Sequence, residues 1–187
     1  MDQNYEEDTL WSRIKGPFLE LFEFVAVVGV IVLIVHYFIA EPHQVSGSSM
    51  FPTYHNGEYI ITNKLATKYS PIHRYEVVIF NSPRDPGKVF IKRVIGLPGE
   101  TVMIKDGKVY INNSILAEPY LPQGLMTSTG SFLTEGTAVT VSANEYLVLG
   151  DNRPASSDSR EWGFVPKQML IGQAWFRYFP FNKAGLL

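Results

Sequence analysis

Two rhythms of apolar residues divide this chain. Between Glu23 and Glu41 the run FVAVVGVIVLIVHYFIA carries no formal charge and no polar stripe. A helix of that kind has no face to turn toward water, and its length lies at the short end of the ~17–25 residues that cross a bilayer. Beyond Glu41 the apolar residues come in short bursts rich in Val, Ile, Tyr and Phe, parted by Gly, Pro, Asn and Asp, the pattern of strands joined by turns. Strands are predicted over 58–64, 76–80, 89–95, 101–104, 108–111, 139–141, 146–149 and 173–178, with no convincing soluble helix among them. Asp106-Gly107, set between two alternating runs, is a strong two-residue hairpin signal. The expected fold is mainly β: one N-terminal transmembrane helix, then an antiparallel, barrel-like sheet that closes or packs on itself. The stretch 119–137, rich in Gly, Ser and Thr, reads as a loop within a β insertion around 100–145 and shows no chemistry of its own. The expected organisation is a tail and helix start over 1–22, a membrane span over 23–41, and a second domain over 42–187.

Charge sets the direction of the span. Pro17 suits a first helical turn, Glu20 and Glu23 lie toward the positive end of the helix dipole, and the helix should stop before Pro42. Arg13 and Lys15 precede the span, and no Lys or Arg follows it until Lys64. Basic residues stay on the cytoplasmic side, so a single-pass cell-membrane protein is expected, with its N-terminus cytoplasmic and its domain extracytoplasmic. A cleaved leader fits less well, because the first residues are acidic (Asp2, Glu6, Glu7, Asp8), the apolar core is long and no small-x-small site follows nearby. The 187 residues leave room for one domain beside the helix, and the net charge of -2 offers no footprint for nucleic acid. With no cysteine in the chain, thiol nucleophiles, thiolate metal sites and disulfides are excluded. A covalent catalyst must then be Ser, Thr, Lys or a carboxylate.

Three segments hold the remaining polar interest: SGSSMFPT at 46–53, FIKRVIGLPGE at 90–100 and GDNRPASSDSREWG at 150–163. Each has an ordinary reading. A serine in a Gly/Ser turn bonds its own backbone, Lys92 and Arg93 in an apolar run are charges that protect a sheet edge, and Asp158 with Arg160 is a local ion pair.

Together and in this order, however, the segments and the N-terminal anchor resemble the type I signal peptidases, bacterial enzymes that clip signal peptides from exported proteins. The resemblance implies Ser49 of Ser49-Met50-Phe51-Pro52-Thr53 as nucleophile and Lys92 as its general base. It implies that Ser156 orients the lysine while Asp158 and Arg160 brace the loop. The chemistry is coherent: a serine needs a base, and a lysine serves as one only when neutral, which asks its pKa to fall by roughly 3 units to 7–8. The apolar neighbours Val89, Phe90, Ile91, Val94 and Ile95 are suited to cause that fall. The backbone N–H of Ser49 is the first oxyanion donor; a second is unassigned, because Gly47 stands where one branch of the family has a hydroxyl residue. No metal and no cofactor is implied. The expected partners are signal peptides cut after small-x-small sites, and the lipid bilayer. Val45, Met50, Tyr54, Phe90 and Ile91 are the expected pocket walls, and Trp162, Trp175, Phe176, Phe179 and Phe181 the expected aromatic contacts with the membrane surface. His43, His55 and His73 read as ordinary surface residues. A self-cleaving Ser/Lys repressor would need a DNA-binding domain, for which the residues before Ser49 leave no room. A silent tethered β domain would not need Ser49, Lys92 and Ser156 intact.

Overall fold

The computed structural model describes residues 10–85 and 87–187, with side chains from residue 15 onward. The acidic residues Asp2, Glu6, Glu7 and Asp8 and the Arg13 side chain lie outside the described residues. Two compact units divide in sequence between Ile39 and Ala40. In the first, α1 covers Leu10–Ile34 and continues as a π-helical turn over Val35–Ile39. Every residue from Lys15 to Ile39 is exposed, and the most apolar window of this 25-residue helix has a mean hydropathy of 2.7. At ~1.5 Å per residue such a helix is long enough to cross the ~30 Å of a bilayer's hydrocarbon. Pro17 lies inside α1 and not in its first turn. A proline there forfeits one backbone hydrogen bond, but the turns on either side hold the helix together.

The second unit contains the strands β1 (Ala40–Gln44), β2 (Tyr59–Asn63), β3 (Val77–Asn81), β4 (Val89–Gly96), β5 (Thr101–Lys105), β6 (Lys108–Ile111), β7 (Ser114–Ile115), β8 (Val139–Thr140), β9 (Glu145–Leu149), β10 (Val165–Pro166), β11 (Leu170–Phe179) and β12 (Gly185–Leu186). The larger sheet runs β1-β2-β11-β3-β4-β9-β10 with β12 on β11, and the smaller runs β7-β6-β5-β8. Every pairing between these strands is antiparallel.

Each run predicted as a strand forms one. β2 and β5 bury every second side chain, as a strand with one wet face should, whereas Val77–Phe80 of β3 are buried on both faces. Asp106 and Gly107 take φ of 50° and 71° and close the β5–β6 hairpin at Lys105↔Lys108. The strands without a sequence signal are β1, β7, β10 and β12. β1, AEPHQ, lacks a β pattern because it is the edge of the sheet, where Pro42 is tolerated. Two short helices also go beyond the sequence reading. In α2 (Lys64–Tyr69) the Asn63 side chain accepts from the Leu65 and Ala66 N–H groups, and α3 (Ser159–Trp162) is one turn capped by Asp158.

β1 and β4 stand four places apart in the sheet order. In a flat sheet they would lie about 19 Å apart at the usual strand spacing. The segment after β1 nevertheless touches β4, so the sheet must curl. Register shifts in β11 at Ala174/Phe176 and Arg177/Phe179, and in β4 at Val94/Gly96, are the local irregularities that increase twist. One apolar cluster, with Val45, Met50, Tyr54, Ile60, Val77 and Ile79, fills the space beneath that contact.

Candidate active site

The site begins with the loop between β1 and β2. Val45 N–H donates to Glu58 O and Gly57 N–H donates to Val45 O, each at 2.8 Å, pinching the loop shut at its base. Gly47 and Gly57 hold φ of 89° and 85°, a region where a side chain would be strained. Met50 and Tyr54, 1% and 2% exposed, pull the loop down into the core. From above, Asn152 donates its N–H to Ser49 O at 2.9 Å and its amide to Ser48 O at 3.0 Å. Ser49 is thus fixed by its main chain on both sides, with its hydroxyl left for the cleft.

Lys92 comes from β4, opposite Val78 of β3. β4 lies between β3 and β9, so Lys92 and Arg93 are interior charges and do not guard an edge. Lys92 is 4% exposed; its Nζ lies 2.8 Å from Ser49 Oγ and donates to Ile91 O at 3.0 Å, with the Phe90 ring 5.4 Å away. Burial pushes its pKa from 10.5 down to about 8, against the raising pull of Asp158 and Asp151.

The segment after β9 roofs the site. Asp158, fully buried, holds Arg160 at 2.7 and 2.9 Å and accepts the Gly150 N–H at 3.0 Å. Arg160 in turn donates to the carbonyls of Arg153 and Ser156. Ser156 is adjacent, yet its hydroxyl has no hydrogen-bond partner among the described residues; the second partner of the Lys92 amine is Ile91 O. Gly150 permits this crowding, since a Cβ there would stand 2.1 Å from Ser156 Oγ and 2.6 Å from Ser49 O.

Beside Ser49 and Lys92 lies a cleft of about 270 Å³ whose walls include Val45, Phe90 and Ile91. Met50 and Tyr54 are not on its walls but in the core below, because the loop is anchored through them. His43 and Ser157 line the cleft, so His43 is not an ordinary surface residue. His73 is mostly exposed and bonds Glu76, and His55 sits 3.4 Å from Glu58. Of the aromatic residues expected at a membrane surface, Trp175, Phe179 and Phe181 are exposed, Phe176 is half-buried, and Trp162 packs on Phe80.

Two charged contacts have no counterpart in the sequence reading. Arg93 grips Asp151 at 2.8 and 2.6 Å, and Asp151 also accepts the Thr53 hydroxyl, linking all three segments. Arg153, 2% exposed, bonds both carboxylate oxygens of Glu118, the Thr127 hydroxyl and Gly150 O. Arg93 beside Lys92 and Asp151 in GDN both stand in the segments of polar interest, a signal that could have marked the first pair; nothing near Glu118 marks the second.

Known proteins are similar to this chain in sequence along nearly its whole length. The family model described as signal peptidase, peptidase S26 matches residues 18–179. Signal peptidase I T of Bacillus subtilis (strain 168) is 37% identical over 97% of this chain and 96% of its own. Probable signal peptidase I-1 of Synechocystis sp. is 34% identical over 99% of this chain and 92% of its own. A crystal structure of a signal peptidase I from Enterococcus faecalis V583 is 37% identical, covering 56% of this chain and 97% of that one with a TM-score of 0.47. Matched along nearly its full length, the chain belongs to the signal peptidase family, peptidase S26.

Proposed function

We propose that this protein is a membrane-anchored serine endopeptidase that removes signal peptides from exported preproteins, with Ser49 as nucleophile and Lys92 as general base. The observation that carries the reading is the 2.8 Å approach of a buried, pKa-lowered lysine amine to a serine hydroxyl. Neutral Lys92 takes the Ser49 proton as Oγ attacks the scissile carbonyl. The same proton passes to the leaving amine, and Lys92 then activates the water that hydrolyses the ester. Ser49 N–H donates to no other group among the described residues, which suits it to the developing oxyanion. Asp158 and Arg160 hold the roof, and Ser156 orients the lysine by a rotation that brings its unpartnered hydroxyl to the amine.

A cleft this small favours small side chains, in keeping with cleavage after small-x-small sites. The apolar helix α1 is the anchor, with its N-terminus cytoplasmic and residues 42–187 forming the extracytoplasmic catalytic domain. Exposed Trp175, Phe179 and Phe181 suit the lipid surface. The test is direct. Ser49→Ala and Lys92→Ala should each abolish cleavage of an Ala-x-Ala preprotein while the protein still folds and enters the membrane; full activity in either variant would remove the mechanism.

A further inference from the structure

Glu58 is a carboxylate residue, only 3% exposed, that the chemistry above does not use. It stands at the exit of the loop that carries Ser49, where its main-chain carbonyl accepts the Val45 N–H. Three basic side chains gather on one of its carboxylate oxygens: Arg177 Nη1 at 3.3 Å, His55 Nδ1 at 3.4 Å and Lys183 Nζ at 3.8 Å. A charge withdrawn from water persists only where such partners replace its hydration. Arg177, the partner that hydrogen-bonds it, is itself largely buried.

The other arm of that guanidinium gives the pair a purpose. Arg177 Nη2 donates to Thr53 O at 3.0 Å, and its Cζ lies 5.1 Å from the centre of the Tyr54 ring. Thr53 and Tyr54 belong to the half of the loop that follows Ser49, whereas Asn152 holds the carbonyls of Ser48 and Ser49. On the later half the Thr53 hydroxyl donates to Asp151, so Asp151 fixes Thr53 through its side chain and Arg177 fixes it through its main chain. Arg177 sits at a register shift of β11, between its own pairing with Ile60 and that of Phe179 with Tyr59, the kind of irregularity that re-aims a side chain. Neither Glu58 nor Arg177 lines the cleft. Ser49 Oγ and Lys92 Nζ stand 2.8 Å apart, and a displacement of 1 Å at a reacting pair can cost two orders of magnitude in rate.

We propose that Arg177, held by Glu58, is a positioning residue for the nucleophile: a strut from β11 that fixes the second half of the loop and, through it, the approach of Ser49 Oγ to Lys92 Nζ. The proposal rests on the peptidase reading above and adds to it a pair of charges that meet neither the substrate nor the base. Arginine suits the task because its nitrogens are separate donors on one rigid plane, so a single side chain ties Glu58 to Thr53 O.

The test uses the full chain in detergent, an Ala-x-Ala peptide and two variants. Arg177→Lys keeps the charge beside Glu58 but offers one ammonium to two acceptors that the guanidinium reaches with separate arms. Arg177→Met combined with Glu58→Gln removes both charges together, so that neither is stranded in the core. In each, kcat should fall about ten-fold while KM stays within about two-fold. The rise of kcat/KM with pH should keep the midpoint of the unaltered protein, because the surroundings of Lys92 are untouched. A residue that merely supported the fold would lower Tm and leave the kcat of the folded protein where it was. An unchanged kcat in Arg177→Lys, or a loss confined to KM, overturns the proposal. A displaced midpoint also overturns it, since Arg177 would then act on the charge of Lys92 and not through the loop. Should the double variant not fold, Arg177→Lys decides alone. If the unaltered protein cuts no such peptide, the peptidase reading itself fails and takes this one with it.

Discussion

Lys92 gives up the hydration of its ammonium when β4 is enclosed between β3 and β9, and that loss governs how activity should follow pH. In the proposed mechanism its conjugate base is the active form, so kcat/KM should rise about ten-fold per pH unit below the amine's pKa and level off above about 8. A pH–rate profile that is flat between about 5 and 9 would remove Lys92 as the base, because a base with a pKa of about 8 or higher must impose that rise. At this scale much of the site is legible in the text of the chain. Ser49 and Lys92 stand in motifs whose residue types state their chemistry. Met50 and Tyr54 mislead, because a motif records proximity to the nucleophile and not which way a side chain turns. His43 is missed for the same reason, its face being set by a strand that has no pattern.

Among the elements, the roof of the site depends on a segment that reads as a plain loop. Residues 119–137 supply the buried Thr127 and Leu133, and with Glu118 they clasp Arg153 and Arg160. Removing the carboxylate of Glu118 would strand a guanidinium that is almost entirely buried. Glu118→Ala should therefore cost roughly 3 kcal/mol, a fall in Tm of about 10 °C. Thermal unfolding of the purified variant checks this; a shift below about 2 °C would mean that Thr127 and Gly150 O suffice for Arg153. Strands with a clear alternation, such as β2 and β5, can be read directly. Glu118 cannot, since its partner lies 35 positions away and its local sequence is that of any turn.

At the scale of the whole molecule the chain has two units, one an apolar and exposed helix, the other built on two antiparallel sheets. Nothing in the chemistry proposed for Ser49 and Lys92 draws on α1, whereas α1 as the proposed bilayer anchor would raise the local concentration of membrane-borne substrate. A chain starting at Ala40 should therefore keep its pH–rate profile on a soluble peptide but lose ~100-fold in rate on a preprotein inserted in vesicles. Equal losses on both substrates would show that α1 supports the fold of the catalytic unit. The curl that carries Ser49 across to Lys92 has a consequence for the newborn protein. The pair is assembled from strands four places apart in one sheet, so before the intervening strands have joined, the serine is an inert alcohol and the lysine an ordinary hydrated cation. On the proposed mechanism the sheet's curl is thus the safety catch of the protease: a nascent or half-folded copy would hold every catalytic atom and still be unable to cut.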